Sequence, residues 1–242
     1  MIYKISTLLL FCLLSFTCVY AERNEEWLNT EYDFGLIKET DGVQSCEFRF
    51  VNKGKKAVKI TDVKVSCGCT EATFTKGKIA KGDTAVIKVA YDPEERPGKF
   101  DKGIYVYIDH ELPKRLNIKG TVIASPSTLQ FLYPHNEGDL FFDTLDVNFG
   151  EVKKGNRSRE YVDIYNAGTT AVDPYFEADS DALQIKLDPE KINPGEAAAL
   201  TVILDSSRLN WTGEKQMAIK GKWQDNGEER EVEIKVKATI IP

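Results

Sequence analysis

The stretch Cys46-Glu47-Phe48-Arg49-Phe50-Val51-Asn52-Lys53-Gly54 decides the fold. Cysteine and the two phenylalanines occupy alternate positions with charged residues between them, the period of a strand with one buried face and not of a helix. The run stops at Asn52-Lys53-Gly54, residue types that favour a tight turn. Working outward, the alternation returns in Ala85, Ile87, Val89 and Tyr91, in Ile104, Val106 and Ile108, and in Leu116, Ile118 and Val122. Lys81-Gly82-Asp83 and Pro97-Gly98 punctuate these rows. Val58 and Ile60 share one parity whereas Val63 and Val65 have the other, so Thr61-Asp62 is predicted to hold a β-bulge that re-aims the strand.

The same unit occurs a second time. Phe34-Gly35 recurs as Phe149-Gly150, Val51-Asn52-Lys53-Gly54 as Tyr165-Asn166-Ala167-Gly168, and Ile79-Ala80-Lys81-Gly82-Asp83 as Ile192-Asn193-Pro194-Gly195-Glu196. The offset stays at about 115 residues, so both copies carry one order of elements. Six or seven short strands in roughly 100 residues, with turns at this spacing, predict a β-sandwich for each copy. No stretch offers a convincing amphipathic helix. Between the copies, Ser125 to Thr144 contains Leu129, Phe131, Leu132, Tyr133, Leu140, Phe141 and Phe142, too much apolar surface for a solvated linker. It reads as an ordered connector packed between the sandwiches, with a partner-binding ridge as the alternative.

The N-terminus has one cation, Lys4, an apolar run from Leu8 to Phe16, and Val19-Tyr20-Ala21. This order predicts a secretory signal cleaved after Ala21, since the unbroken apolar run is shorter than the roughly 20 residues of a spanning helix. Acylation of Cys18 would instead attach the chain to a membrane, but Ser15-Phe16-Thr17 lacks the usual preceding pattern. The formal net charge is -6, and it becomes -7 when Lys4 leaves with the signal. No basic field invites nucleic acid.

Loss of Cys12 and Cys18 with the signal leaves Cys46, Cys67 and Cys69, an odd number for internal pairing. Ser66-Cys67-Gly68-Cys69-Thr70 is the one place where reactive side chains crowd together. If the strand stays extended there, both thiols continue the row of Val63 and Val65 on one side. Three uses compete. A disulfide through a single glycine would close a very short ring, expected to be strained and easily reduced. Pairing of Cys46 with either thiol is the variant, although a simple hairpin about Asn52-Lys53-Gly54 sets Cys46 level with Asp62. The second use is capture of Cu(I) or Zn(II) by Cys67, Cys69 and Cys46. The third is thiol-disulfide exchange, with Lys64 and Lys76 supplying a positive field.

The motifs resemble, in order, the bacterial domain of unknown function 1573 family. Tyr32-Asp33-Phe34-Gly35-Leu36-Ile37-Lys38-Glu39, Phe48 to Gly54, Ser66 to Thr70, Ile79 to Asp83, Asp92-Pro93 and Arg96-Pro97-Gly98 carry the likeness, over about residues 30 to 123. It implies an immunoglobulin-like sandwich, related to sperm-protein and Hydin-type interaction domains, in exported bacterial proteins. It supplies no catalytic residue. Cys46 stands where many relatives have a histidine, and the second copy has no cysteine.

Enzymatic constellations are missing. The histidines after the signal are His110 and His135, of which His110 lies in Asp109-His110-Glu111 and reads as a polar turn, and no phosphate loop or dinucleotide fingerprint appears. The organisation expected is therefore all-β: a signal peptide over 1–21, an immunoglobulin-like sandwich with the Cys-Gly-Cys loop over 22–124, the connector over 125–144 and a second immunoglobulin-like sandwich over 145–242. The expected function is that of a noncatalytic exported protein, periplasmic or envelope-associated, whose sandwiches bind or scaffold a protein or other envelope component. Tyr105 and Tyr107, opposite in parity to Ile104 and Val106, are the candidate contact patch. A Cu- or Zn-binding or thiol-redox factor acting through Cys67 and Cys69 is the alternative.

Overall fold

The computed structural model describes residues 25–109 and 111–242. The segment expected to be a signal peptide, with Cys12 and Cys18, and His110 lie outside the described residues. In chain order the first part contains β1 (Glu25–Trp27), β2 (Glu31–Lys38), β3 (Gln44–Asn52), β4 (Ile60–Val65), β5 (Thr70–Phe74), β6 (Thr84–Tyr91), β7 (Gly98–Ile108) and β8 (Lys114–Ile123). They form two four-stranded sheets, β1-β3-β6-β5 and β2-β8-β7-β4. The alternating rows meet between the sheets: Phe48, Phe50, Ile87 and Val89 on one side and Ile104, Val106, Leu116, Ile118 and Val122 on the other have no exposed surface and belong to one core. Burial of such side chains is worth on the order of 1.5–3 kcal/mol each, which fixes the strand register.

After the helix α1 (Pro126–Leu132) come β9 (His135–Glu137), β10 (Leu140–Phe142), β11 (Asp146–Lys153), β12 (Arg157–Asn166), β13 (Tyr175–Ala178), β14 (Leu183–Asp188), β15 (Ala197–Asp205), β16 (Gly213–Asp225) and β17 (Glu228–Ile241). These build the sheets β14-β15-β12-β10-β9 and β11-β17-β16-β13 around a core of their own. The described residues are all-β apart from short helical turns and α1. Both halves place their first long strand parallel to their last, β2 on β8 and β11 on β17.

The motifs that recur in the sequence are those with a backbone or buried polar task. At Phe34-Gly35 the ladder of β2 slips between Asp33 and Leu36, and at Phe149-Gly150 that of β11 slips between Asn148 and Glu151. Gly35 and Gly150 have φ of 66° and 62°, a region where L-residues are disfavoured. Asp33 and Asn148 each accept the N–H of that glycine. Asn52 and Asn166, both fully buried, do a second matched task. The Asn52 amide donates to the carbonyls of Lys56 and Ile79 and accepts from Gly54 N–H; the Asn166 amide donates to Thr170 and Ile192 and accepts from Gly168.

Two differences from the sequence reading concern the connector. Pro126–Leu132 is a two-turn helix, started by Pro126 and by Ser125, whose hydroxyl accepts Thr128 N–H. Seven residues are too few to show a helical period, so the pattern hid it. Leu140–Phe142 is a strand of the second sandwich: Leu140 and Phe142 are fully buried in its core and β10 pairs with β12. An apolar run before the first repeated motif looks like linker when the strand precedes the part of the unit that repeats.

Candidate functional site

The loop Ser66–Cys69 carries the chain from β4 in one sheet to β5 in the other. The predicted bulge is present, as the β4–β7 register shifts between Ile60 and Asp62. The strand does not stay extended through the cysteines. It ends at Val65, Ser66 N–H bonds Gly103 O, and a turn closes where Thr70 N–H donates to Cys67 O at 3.2 Å. Cys67 and Cys69 are joined by a disulfide. Their exposures differ: Cys69 is 4% exposed and faces the core, while Cys67 is half-buried at its rim. Cys67 Sγ accepts the Cys69 N–H at 3.1 Å, and Cys69 Sγ lies 3.7 Å from Thr70 Oγ1, a buried hydroxyl.

Cys46 is not part of this group. The hairpin register that set it level with Asp62 does not form, because β3 and β4 belong to different sheets. Cys46 pairs instead with Val89 on β6, a buried free thiol whose pKa burial raises to about 12. At neutral pH it is a protonated, apolar side chain. The three sulfurs are thus not gathered for a metal, and among the described residues no group of three or more His, Cys, Asp or Glu side chains is placed to hold one. The lysines expected to bias the thiols are engaged elsewhere: Lys64 Nζ lies 5.3 Å from the Tyr107 ring centroid and Lys76 Nζ 3.4 Å from that of Phe74.

The second sandwich makes the same crossing without sulfur. Between β13 and β14, Asp179 N–H bonds Ala218 O, Leu183 N–H bonds Ser180 O, and Asp205 N–H bonds Ala182 O. In the first sandwich Ser66, Thr70 and Asp92 make the matching bonds to Gly103, Cys67 and Cys69. Ser180 Oγ even accepts the Ala182 N–H at 3.3 Å, the task of Cys67 Sγ. Ser180 therefore stands for Cys67, and buried Ala182 for Cys69. The repeat offset held the signal for this match, since Asp179 follows Ser66 at nearly the spacing that separates Ile79 from Ile192.

Tyr105 and Tyr107 lie on the outer face of β7, each half-buried, in register with Lys64 and Asp62 of β4. Tyr105 lies along its own strand, its hydroxyl 3.2 Å from where any Cβ at Gly103 would sit. At the junction of the sandwiches, Ala124 N–H donates to the Tyr165 hydroxyl at 2.9 Å, Tyr133 stacks on Tyr165 with centroids 5.4 Å apart, and Leu129 is buried beside Ala124 and Tyr165. Lys99 of β7 pairs with Glu196, and Ser125 N–H donates to buried Glu39. Burial alone would raise the Glu196 carboxyl, but the Lys99 ammonium and Asn193 amide that bond it hold it below the usual carboxylate range. Phe131 of α1 points the other way and is 84% exposed.

These features define an all-β protein built of tandem sandwiches, one of which carries a disulfide turn. Residues 26–122 match the family described as "Protein of unknown function (DUF1573)". No curated protein matches the chain. Among solved structures, a protein of unknown function from Porphyromonas gingivalis W83 is 14% identical, with 90% of this chain and 100% of that chain covered and a TM-score of 0.37. The ASH/PapD-like domain 7 of human CEP192 is 10% identical over 45% of this chain and 91% of its own, with a TM-score of 0.38. The secreted serine protease VesC from Vibrio cholerae is 9% identical, covering 90% of this chain and 52% of its own, also at 0.38.

Proposed function

We propose that the chain is a noncatalytic, exported envelope protein whose two sandwiches form one scaffold presenting contact surfaces to a protein partner. The observation that carries this reading is the junction: buried Leu129, the Tyr133–Tyr165 stack, the Ala124–Tyr165 hydrogen bond and the Lys99–Glu196 pair tie the sandwiches through an ordered bridge. A flexible tether would not need these contacts. The exposed ring of Phe131, beside Leu132 and Pro97, gives the bridge an apolar outer face, and Leu132 and Pro97 also line a junction cleft of about 450 Å³. Isolated apolar residues are ordinary at surfaces, but a phenylalanine and a leucine beside an open cleft make a contact site. Tyr105 and Tyr107 are a second face, already half-covered by their own sheet. Export rests on the apolar run from Leu8 to Phe16 and the small-residue cleavage pattern Val19-Tyr20-Ala21 after it.

The test is in-cell photo-crosslinking from positions 131, 105 and 107, with exposed Lys186 as control, combined with osmotic-shock fractionation. Expected is a mature chain starting at Glu22 in the shock fluid or envelope fraction and one adduct of discrete mass from position 131. An uncleaved chain retained in the cytoplasm, or equal labelling from Lys186, would sink the proposal.

A further inference from the structure

We infer that the Cys67–Cys69 disulfide is a reversible thiol-exchange site for a dithiol partner, with Cys67 as the sulfur attacked and Cys69 as the sulfur released. This goes beyond the scaffold reading and does not depend on it.

The first support is the twin turn. A disulfide kept for structure alone holds a conformation that the chain would otherwise lose. Here Ser180 and Ala182 keep the same crossing with the same backbone hydrogen bonds and no covalent link. The bond across Cys67 and Cys69 spans a ring of one intervening residue, so it removes little loop entropy from the unfolded chain. Opening it leaves the turn with every bond its sibling uses, including Cys67 Sγ accepting the Cys69 N–H.

The second support is the asymmetry of the two sulfurs. A thiolate attacks along a path to an accessible sulfur, and Cys69, at 4% exposure against the core, offers none. Cys67 at the rim is the reachable one. Attack there forms a mixed disulfide between the partner and Cys67 and expels Cys69 as a thiolate. Thr70 Oγ1, 3.7 Å from Cys69 Sγ, is placed to donate its proton in a hydrogen bond to that leaving sulfur. The partner's second thiolate then attacks its own sulfur in the mixed disulfide and releases Cys67, whose sulfur keeps the Cys69 N–H as donor. Two electrons and two protons pass from the partner to this chain: the partner ends as a disulfide and Cys67 and Cys69 end as thiols. Cys46, buried on β3, takes no part.

The full chain is equilibrated with dithiothreitol and oxidised dithiothreitol, then trapped with an alkylating reagent and weighed, while melting is followed in parallel. Two further variants are incubated with oxidised glutathione. Expected, on trapping in denaturant, are two alkyl groups more than the oxidised chain takes up, reversibly and without loss of the first sandwich's melting transition, and, in the folded variants, a glutathione adduct on Cys67 in Cys69→Ala but none on Cys69 in Cys67→Ser. The variant with both substitutions copies Ser180 and Ala182 and is expected to fold, giving a check that holds even if a single variant does not. Unfolding of the first sandwich on reduction, failure of the double variant to fold, or a glutathione adduct on Cys69 in folded Cys67→Ser equal to that on Cys67 in Cys69→Ala would each overturn the inference.

Discussion

Asn52→Ala removes the amide that closes the first sandwich's central turn. In the structure that side chain donates two hydrogen bonds, each 2.9 Å, to the carbonyls of Lys56 and Ile79, and accepts a third from Gly54 N–H. Asn52 has no exposed surface, so alanine leaves buried backbone groups that water reaches only by opening the turn. With a net contribution of about 0.5–1.5 kcal/mol per bond and a desolvation penalty for groups left unpaired, the expected loss is roughly 3–5 kcal/mol. For a domain of this size each kcal/mol moves the melting temperature by about 4–8 °C, so the first sandwich should melt more than about 12 °C earlier. Asn52→Asp separates the contributions, because it keeps the acceptor for Gly54 and loses both donors. Asn166→Ala should produce the same loss in the second sandwich, where Thr170, Ile192 and Gly168 are the partners. Peptide-level hydrogen exchange assigns each transition, with β3 and β6 reporting the first core and β12 and β15 the second. A shift under about 2 °C for both alanine variants, or an Asn52→Asp variant as stable as the parent, would refute the reasoning that these asparagines recur for their buried hydrogen bonds.

Other consequences follow from the junction and the buried thiol. Gly82 and Gly195 are matched turn glycines with φ of 88° and 72°, so alanine at either costs on the order of 1–2 kcal/mol in backbone strain. Only at Gly195 would the new Cβ lie 2.6 Å from Thr121 Cγ2 and 3.2 Å from Val122 O, in the other sandwich, whereas at Gly82 it meets nothing. Gly195→Ala should therefore speed proteolysis between the sandwiches and Gly82→Ala should not, as read by timed digestion. The Glu196 carboxyl has a folded pKa below its ordinary value of 4.5, so its contribution is fully present above that value and is lost as pH falls through the depressed one. The same digestion, repeated down a pH series, should show the junction loosening only below pH 4.5 in the parent, and showing less pH dependence in Glu196→Gln. Cys46 should resist a thiol reagent at pH 8 in the folded chain and react on unfolding, because burial lifts its pKa to about 12.

Much of the fold was legible because the sandwich writes itself in a period of two. Phe48, Phe50, Ile87 and Val89 announce one inner face, Ile104, Val106 and Leu116 the other, and the recurrence of Phe34-Gly35 and Asn52 at Phe149-Gly150 and Asn166 announces the repetition. What the pattern could not show was pairing between strands. Cys46 was set level with Asp62 on the assumption that neighbours in sequence pair in space, and the chain instead crosses between sheets after β3. The direction of the Cys67 and Cys69 side chains was likewise beyond a reading that carried the strand past Val65, since a turn and an extended segment share the residues Cys-Gly-Cys. The connector hides α1 in its first half and β10 in its second because seven and three residues are both too short to display a period. The match of Ser180 and Ala182 to the two cysteines lay in the offset alone, with no shared residue type to draw notice.

The scaffold account depends on the two sandwiches moving as one body. Residual dipolar couplings of backbone amides, measured for the full mature chain in one alignment medium, test this most directly. The account predicts that a single alignment tensor fits the amide vectors of β3, β6, β7 and β8 together with those of β12, β15, β16 and β17. Two tensors of different magnitude would show sandwiches that tumble apart, and the junction contacts would then not join them.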